Sequence, residues 1–185
     1  MKKIFFTLFL LPLVSFTQGV PISLQKEVQD ERSQNIAVIK INVDAYELFN
    51  SSASPNIVAG NNSISNIAIT TLGGGPPKVF VGEEIKNKNN YSDLFWGNSV
   101  TWIGKVTGVQ SNGYKIRIRQ IELPPGNCAF AEVNYPGISG IVNAQANPEP
   151  NKPTECTTWY AIWFEIENPI GETRIFRLDP WVLLK

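Results

Sequence analysis

Alternation of apolar and polar residues is sharpest between Thr157 and Leu184. In Trp159–Ile166 the even positions are Tyr160, Ile162, Phe164 and Ile166, and the odd positions are Trp159, Ala161, Trp163 and Glu165. Successive side chains of a strand point to opposite faces, so this spacing predicts one wholly apolar face and one mixed face carrying two indoles. Asn168-Pro169-Ile170-Gly171 supplies turn chemistry, with proline restricting φ and glycine permitting positive φ. The chain then returns through Arg174–Leu178, and Asp179-Pro180 breaks it before a short closing strand, Trp181–Leu184.

The same two-residue period recurs upstream. Ile36–Val43 reads as a β-branched strand running into a helical turn over Asp44–Phe49, and Asn50–Asn62 reads as loop. Strands are predicted over Ile64–Thr71, Lys78–Val81, Asn98–Val106, Tyr114–Ile121 and Cys128–Tyr135. Ser111-Asn112-Gly113 predicts a type I′ hairpin between two of them. Ile121 falls out of step with Ile116 and Ile118, which predicts a bulge. Glu83–Ser92 reads as solvated loop, and Pro136–Cys156 as a long proline-containing loop. About seven to nine short strands without a strongly amphipathic helix predict an all-β fold, an antiparallel β-sandwich of jelly-roll or immunoglobulin-like type.

Domain organisation follows from the first residues. Met1-Lys2-Lys3 is a basic start, Ile4–Val14 an apolar run, and Ser15–Gly19 a polar exit ending in a small residue. That pattern predicts a signal peptide over residues 1–19, cut after Gly19, because the apolar run is shorter than the ~20 residues a membrane span needs. Residues 20–35 are polar and read as an extended arm, leaving residues 36–185 as one β-sandwich domain. The reading implies a secreted or periplasmic protein without stable membrane insertion. Cys128 and Cys156 are the two cysteines, and in an exported chain such a pair predicts one disulfide.

Charge and histidine content narrow the chemistry. The chain has 16 basic and 16 acidic residues, and loss of Lys2 and Lys3 with the leader would leave a slightly acidic protein. Without a basic run it is a poor partner for nucleic acid, whose phosphates supply most non-specific affinity. With 0 histidines it cannot build a Ser-His-Asp triad, a histidine-ligated metal or an imidazole switch. Leu72-Gly73-Gly74-Gly75 leads into prolines and a strand rather than a helix N-terminus, so it is not a phosphate cradle. Asp44, Glu83, Glu84 and Asp93 offer oxygen ligands but no calcium-loop spacing, so neither metal nor other cofactor is predicted.

Two patterns remain as candidate chemistry. Indoles on an exposed sheet face can stack on sugar rings, although aromatics more often fill a sandwich core. Trp96 stands beside Asp93 and Gly97 at a loop-to-strand junction, so Trp96, Asp93, Tyr91 and Trp102 form the candidate ligand-binding set. Glu165 and Glu167 share one strand face about 7 Å apart by strand geometry, a spacing that also suits a pair of glycosidase acids. Alternating acids on a strand more often mark a solvated face.

Three motifs carry a family resemblance. They are Ile36–Asp44, an apolar strand running into Asp; Gly97-Asn98-Ser99-Val100-Thr101-Trp102; and Phe176-Arg177-Leu178-Asp179-Pro180-Trp181-Val182. Together they resemble the AidA/PixA inclusion-body protein family. The resemblance implies a β-sandwich without a catalytic site, associated with carbohydrate binding, and it brings no active-site residues to carry over. The leader and cysteine pair depart from the pattern of a protein stored in cytoplasmic inclusions. The reading is therefore an exported, non-enzymatic β-sandwich that binds a glycan or cell-surface partner. The alternatives are a carboxylate-dependent glycoside hydrolase and a self-assembling, homo-oligomeric surface protein.

Overall fold

A computed structural model describes residues 36–51, 65–73, 76–148 and 155–185, together with the backbone of Asn56–Val58. The predicted leader, the arm and much of the predicted Asn50–Asn62 loop lie outside the described residues.

The chain runs β1 (Ile36–Asp44), α1 (Ala45–Ser51), β2 (Asn56–Val58), β3 (Ile67–Leu72), β4 (Lys78–Val81) and a 3₁₀ turn (Gly82–Lys86). It continues through β5 (Tyr91–Leu94), β6 (Ser99–Thr107), β7 (Lys115–Glu122), β8 (Asn134–Pro136) and β9 (Ile141–Gln145). The last four strands are β10 (Cys156–Trp159), β11 (Ala161–Glu167), β12 (Thr173–Leu178) and β13 (Trp181–Leu184). They form a five-stranded sheet in the order β4-β3-β1-β6-β9, a three-stranded sheet β10-β13-β5, and a second five-stranded sheet β2-β12-β11-β7-β8. Among the described residues no helix is long and apolar enough to cross a membrane.

The expected β-rich fold with one disulfide is present, but the pairing is not purely antiparallel. β1 pairs parallel with β6, β12 with β2, and β13 with β5. Periodicity reports which face of a strand is buried, whereas strand direction depends on where the connections cross. β1 shows the strict alternation that its sequence predicts, with Ala37, Ile39, Ile41 and Val43 fully buried. The predicted helical turn after it is α1, which lays Leu48 and Phe49 into the core.

One apolar core joins the sheets. It includes Ile39 and Ile41 of β1, Trp102 of β6, Ile118 of β7, Phe164 of β11 and Leu184 of β13. Trp102 meets Tyr160 edge-on at 6.0 Å, and Phe164 stacks on Phe176 at 5.5 Å. β6 passes close to β7 at Gly104, where a Cβ would stand 2.8 Å from Ile116. No side chain larger than hydrogen fits there without moving Ile116.

Several local predictions are refined by this arrangement. Trp163 faces Gln120 while Phe164 faces Ile118, so Arg119 is the extra residue of a bulge. The bulge lets Ile118 and Ile121 both point inward despite their odd spacing, as their sequence suggests. The Asn112-Gly113 turn is present but joins no hairpin, because β6 and β7 belong to different sheets. Gly113 has φ +81° while Asn112 stays at negative φ, which fits a type II rather than a type I′ turn. Cys128–Tyr135 contributes only an isolated bridge at Phe130 and the start of β8, and the predicted Pro136–Cys156 loop contains β9. β5 and β2 also arise within segments read as loop. Each of these short strands lacks enough residues to show a period. The predicted disulfide joins Cys128 to Cys156 with a Cα–Cα distance of 5.9 Å.

Phe164→Ala is expected to cost about 3–5 kcal/mol in urea denaturation, because it empties the core beneath the stacked Phe176. The exposed Thr173→Ala should stay within about 0.5 kcal/mol of wild type in the same measurement.

Candidate functional site

The predicted platform of Tyr91, Asp93, Trp96 and Trp102 does not assemble on the surface. Trp102 is fully buried, which corrects its assignment as a ligand contact. It sits on the inward-facing register of β6, packed against Phe130 and Tyr160. Asp93 is also buried, and its Oδ2 lies 2.9 Å from Lys78 Nζ and 3.3 Å from Lys185 Nζ. These two cations neutralise a carboxylate that would be costly to bury alone. Lys78 Nζ further lies 4.4 Å from the centre of the half-exposed Tyr91 ring. Trp96 is half-buried, held by a tight turn in which Phe95 N–H donates to Asn98 Oδ1 at 2.7 Å.

The paired acids are placed as predicted, on one face of β11, but they are consumed by cross-strand ion pairs. Lys115 Nζ lies 2.7 Å from Glu167 Oε1, and Arg117 Nη1 lies 3.0 Å from Glu165 Oε1 and 2.7 Å from Glu167 Oε2. Hydrogen bonds from Lys115 and then Arg117 hold the Glu167 carboxyl below its ordinary value. A glycosidase proton donor needs the opposite shift, since it must stay protonated near neutral pH.

A different set of residues forms a cleft, at a crease in the C-terminal hairpin. β11 pairs with β12 and β10 with β13, and both ladders follow one continuous register. Between them, Tyr160 N–H donates to Pro180 O at 3.0 Å, but Pro180 has no N–H to return. The ladder breaks at that level, and the two halves of the hairpin enter different sheets. Trp159 and Trp181 stand directly opposite each other just beyond the break, and Trp163 opposes Arg177 on its other side.

Lys86, Trp159, Arg177, Asp179 and Trp181 line a cleft of about 330 Å³. Both tryptophans are half-buried, and Trp181 Nε1 donates to the Lys86 carbonyl at 3.2 Å, which fixes its ring. Arg177 Nε lies 3.0 Å from Asp179 Oδ1 but out of hydrogen-bond alignment, and the guanidinium centre is 5.5 Å from the Trp163 ring. Trp163 is anchored in turn by Nε1 donating to Glu122 Oε2 at 2.9 Å. Burial raises the Asp179 carboxyl above its ordinary value against the pull of Arg177. Sequence reasoning placed Trp159, Trp163 and Trp181 in strands but missed the cleft. Asp179-Pro180 signalled the break, whereas its alignment with Tyr160 required the strand register.

A second hollow of about 420 Å³ lies against Asn42, Asp44, Thr70 and Val79. Its polar groups are engaged: Asn42 Nδ2 donates to Thr70 Oγ1 at 3.1 Å, and Asp44 Oδ1 accepts from Ser111 Oγ at 3.0 Å. Tyr91, Asp93, Trp96 and Trp102 line neither hollow. Among the described residues no group of three or more acidic or cysteine side chains is placed to hold a metal ion.

The fold is thus that of a β-rich, disulfide-linked protein with an aromatic cleft. No family model matches the chain, and no curated protein matches it significantly. A search of solved structures returns the crystal structure of an inclusion body protein, PixA, from Burkholderia cenocepacia J2315. The two chains are 12% identical, the alignment covers 82% of this chain and 96% of that one, and the TM-score is 0.49.

Replacing Lys115 with Met should move the Glu167 titration upward toward its ordinary value, as followed by carboxyl ¹³C NMR. In the wild type this carboxylate contributes stability at neutral pH that is lost as pH falls through its lowered pKa. In Lys115→Met that loss should be smaller and should be complete at a higher pH, because the folded value lies closer to the unfolded one.

Proposed function

We propose that this chain is an exported, non-enzymatic β protein that binds carbohydrate in the cleft between Trp159 and Trp181. The observation that carries the reading is the cross-strand pair of half-buried indoles lining the cleft beside the Arg177–Asp179 pair. Indole faces offer apolar area to the C–H faces of a sugar ring, while a charged fork beside them can bind hydroxyls. The cleft has the size of a small-ligand site, a few hundred Å³. Neutralisation of Glu165 and Glu167 favours binding over hydrolysis. Export is supported by the leader pattern and by the Cys128–Cys156 disulfide, which belongs to an oxidising compartment.

The test is glycan-array binding by the chain beginning at Val20. Trp159→Ala and Trp181→Ala should each weaken binding roughly tenfold or more, since losing an aromatic anchor costs about 2 kcal/mol. Trp96→Ala, outside the cleft lining, should bind as wild type. Unchanged binding in both cleft variants, or hydrolysis of the bound glycans, would refute the reading.

A further inference from the structure

The charge of the cleft narrows the kind of sugar it takes. Its five lining residues carry two cations, Lys86 and Arg177, against one carboxylate, Asp179. Arg177 approaches Asp179 through Nε at 3.0 Å, and its side chain is 26% exposed. Its terminal nitrogens have no acceptor among the described residues, which leaves one edge of the guanidinium open to a ligand. Lys86 Nζ lies 3.6 Å from Glu83 Oε2, whose carboxylate is 70% exposed, and its charge also acts on Asp179 across the cleft. So loose a pair leaves the ammonium free to turn toward the cleft at little cost.

The indoles meanwhile fix where a ring can lie. Trp181 is tied by Nε1 to the Lys86 carbonyl, and it faces Trp159 across the ladder. A ring laid against either indole stands within the same small cleft as the Arg177 edge. Guanidinium forks match carboxylate and sulfate-like oxygens with two parallel hydrogen bonds, whereas a neutral hydroxyl uses only one of those donors.

Resting on the carbohydrate reading, we infer that the cleft selects anionic sugars, the ring stacking on Trp159 or Trp181 and the acid group pairing with Arg177. Lys86 adds longer-range attraction, and Asp179 orients the guanidinium from its Nε side.

The experiment compares uronic-acid oligosaccharides with their carboxyl-reduced counterparts, and sulfated oligosaccharides with their desulfated counterparts, by calorimetry. At least one acidic member should bind roughly tenfold tighter than its neutral counterpart, a margin typical of one charged hydrogen-bonding contact. Arg177→Gln should erase that margin by weakening the acidic member far more than the neutral one, Arg177→Lys should retain part of it, and Trp181→Ala should weaken both members. The carboxylate and sulfate arms show which acid group is used. Melting curves of the Arg177 variants must match wild type, with Arg177→Lys preserving the pair to Asp179. Equal binding of acidic and neutral members, or a margin that survives Arg177→Gln, overturns the inference and leaves the carbohydrate reading standing. Failure of every oligosaccharide to bind removes both.

Discussion

A single missing donor organises the C-terminal half of this protein. Tyr160 gives its N–H to Pro180, and proline has none to give back. One long hairpin therefore splits into two ladders that keep the same register yet enter different sheets. The break is covered from inside by the Tyr160 ring, which packs against Trp102 in the core and whose hydroxyl is pushed up in pKa by its burial. On the outer side the same crease leaves Trp159, Trp181, Arg177 and Asp179 around a hollow. Fold and candidate site thus share one backbone cause.

Aromatic residues divide according to their place relative to that crease. Trp102, Phe164 and Phe176 fill the interior, where each contributes burial and ring packing. Trp159, Trp163 and Trp181 stay half-buried, and the indole N–H of two of them is satisfied by Glu122 and the Lys86 carbonyl. Those anchors fix the orientation of the two rings.

The charged residues divide in a parallel way. Lys78 and Lys185 are spent on buried Asp93, and Lys115 and Arg117 on Glu165 and Glu167. Pairs of this kind stabilise chiefly by sparing a carboxylate an unpaired burial, rather than by adding net energy. Arg177 differs because it lines the cleft, with Asp179 meeting it at Nε. That placement makes the guanidinium a candidate for recognition and the other cations structural.

Local chemistry alone determined much of this architecture: the alternating faces of β1 and β11, the helical turn after Asp44, the bulge before Ile121, the cysteine pair and the break at Asp179-Pro180. Each follows from side-chain periodicity or from restrictions on single backbone dihedrals, which act within a few residues. The tertiary structure decided the parallel pairings of β1 with β6 and β13 with β5, the burial of Trp102, and the withdrawal of Asp93 into an ion-paired interior. It also decided that Trp159 stands opposite Trp181 across the ladder. These outcomes depend on which distant strands meet and in what register, and no spacing within one strand encodes its partner.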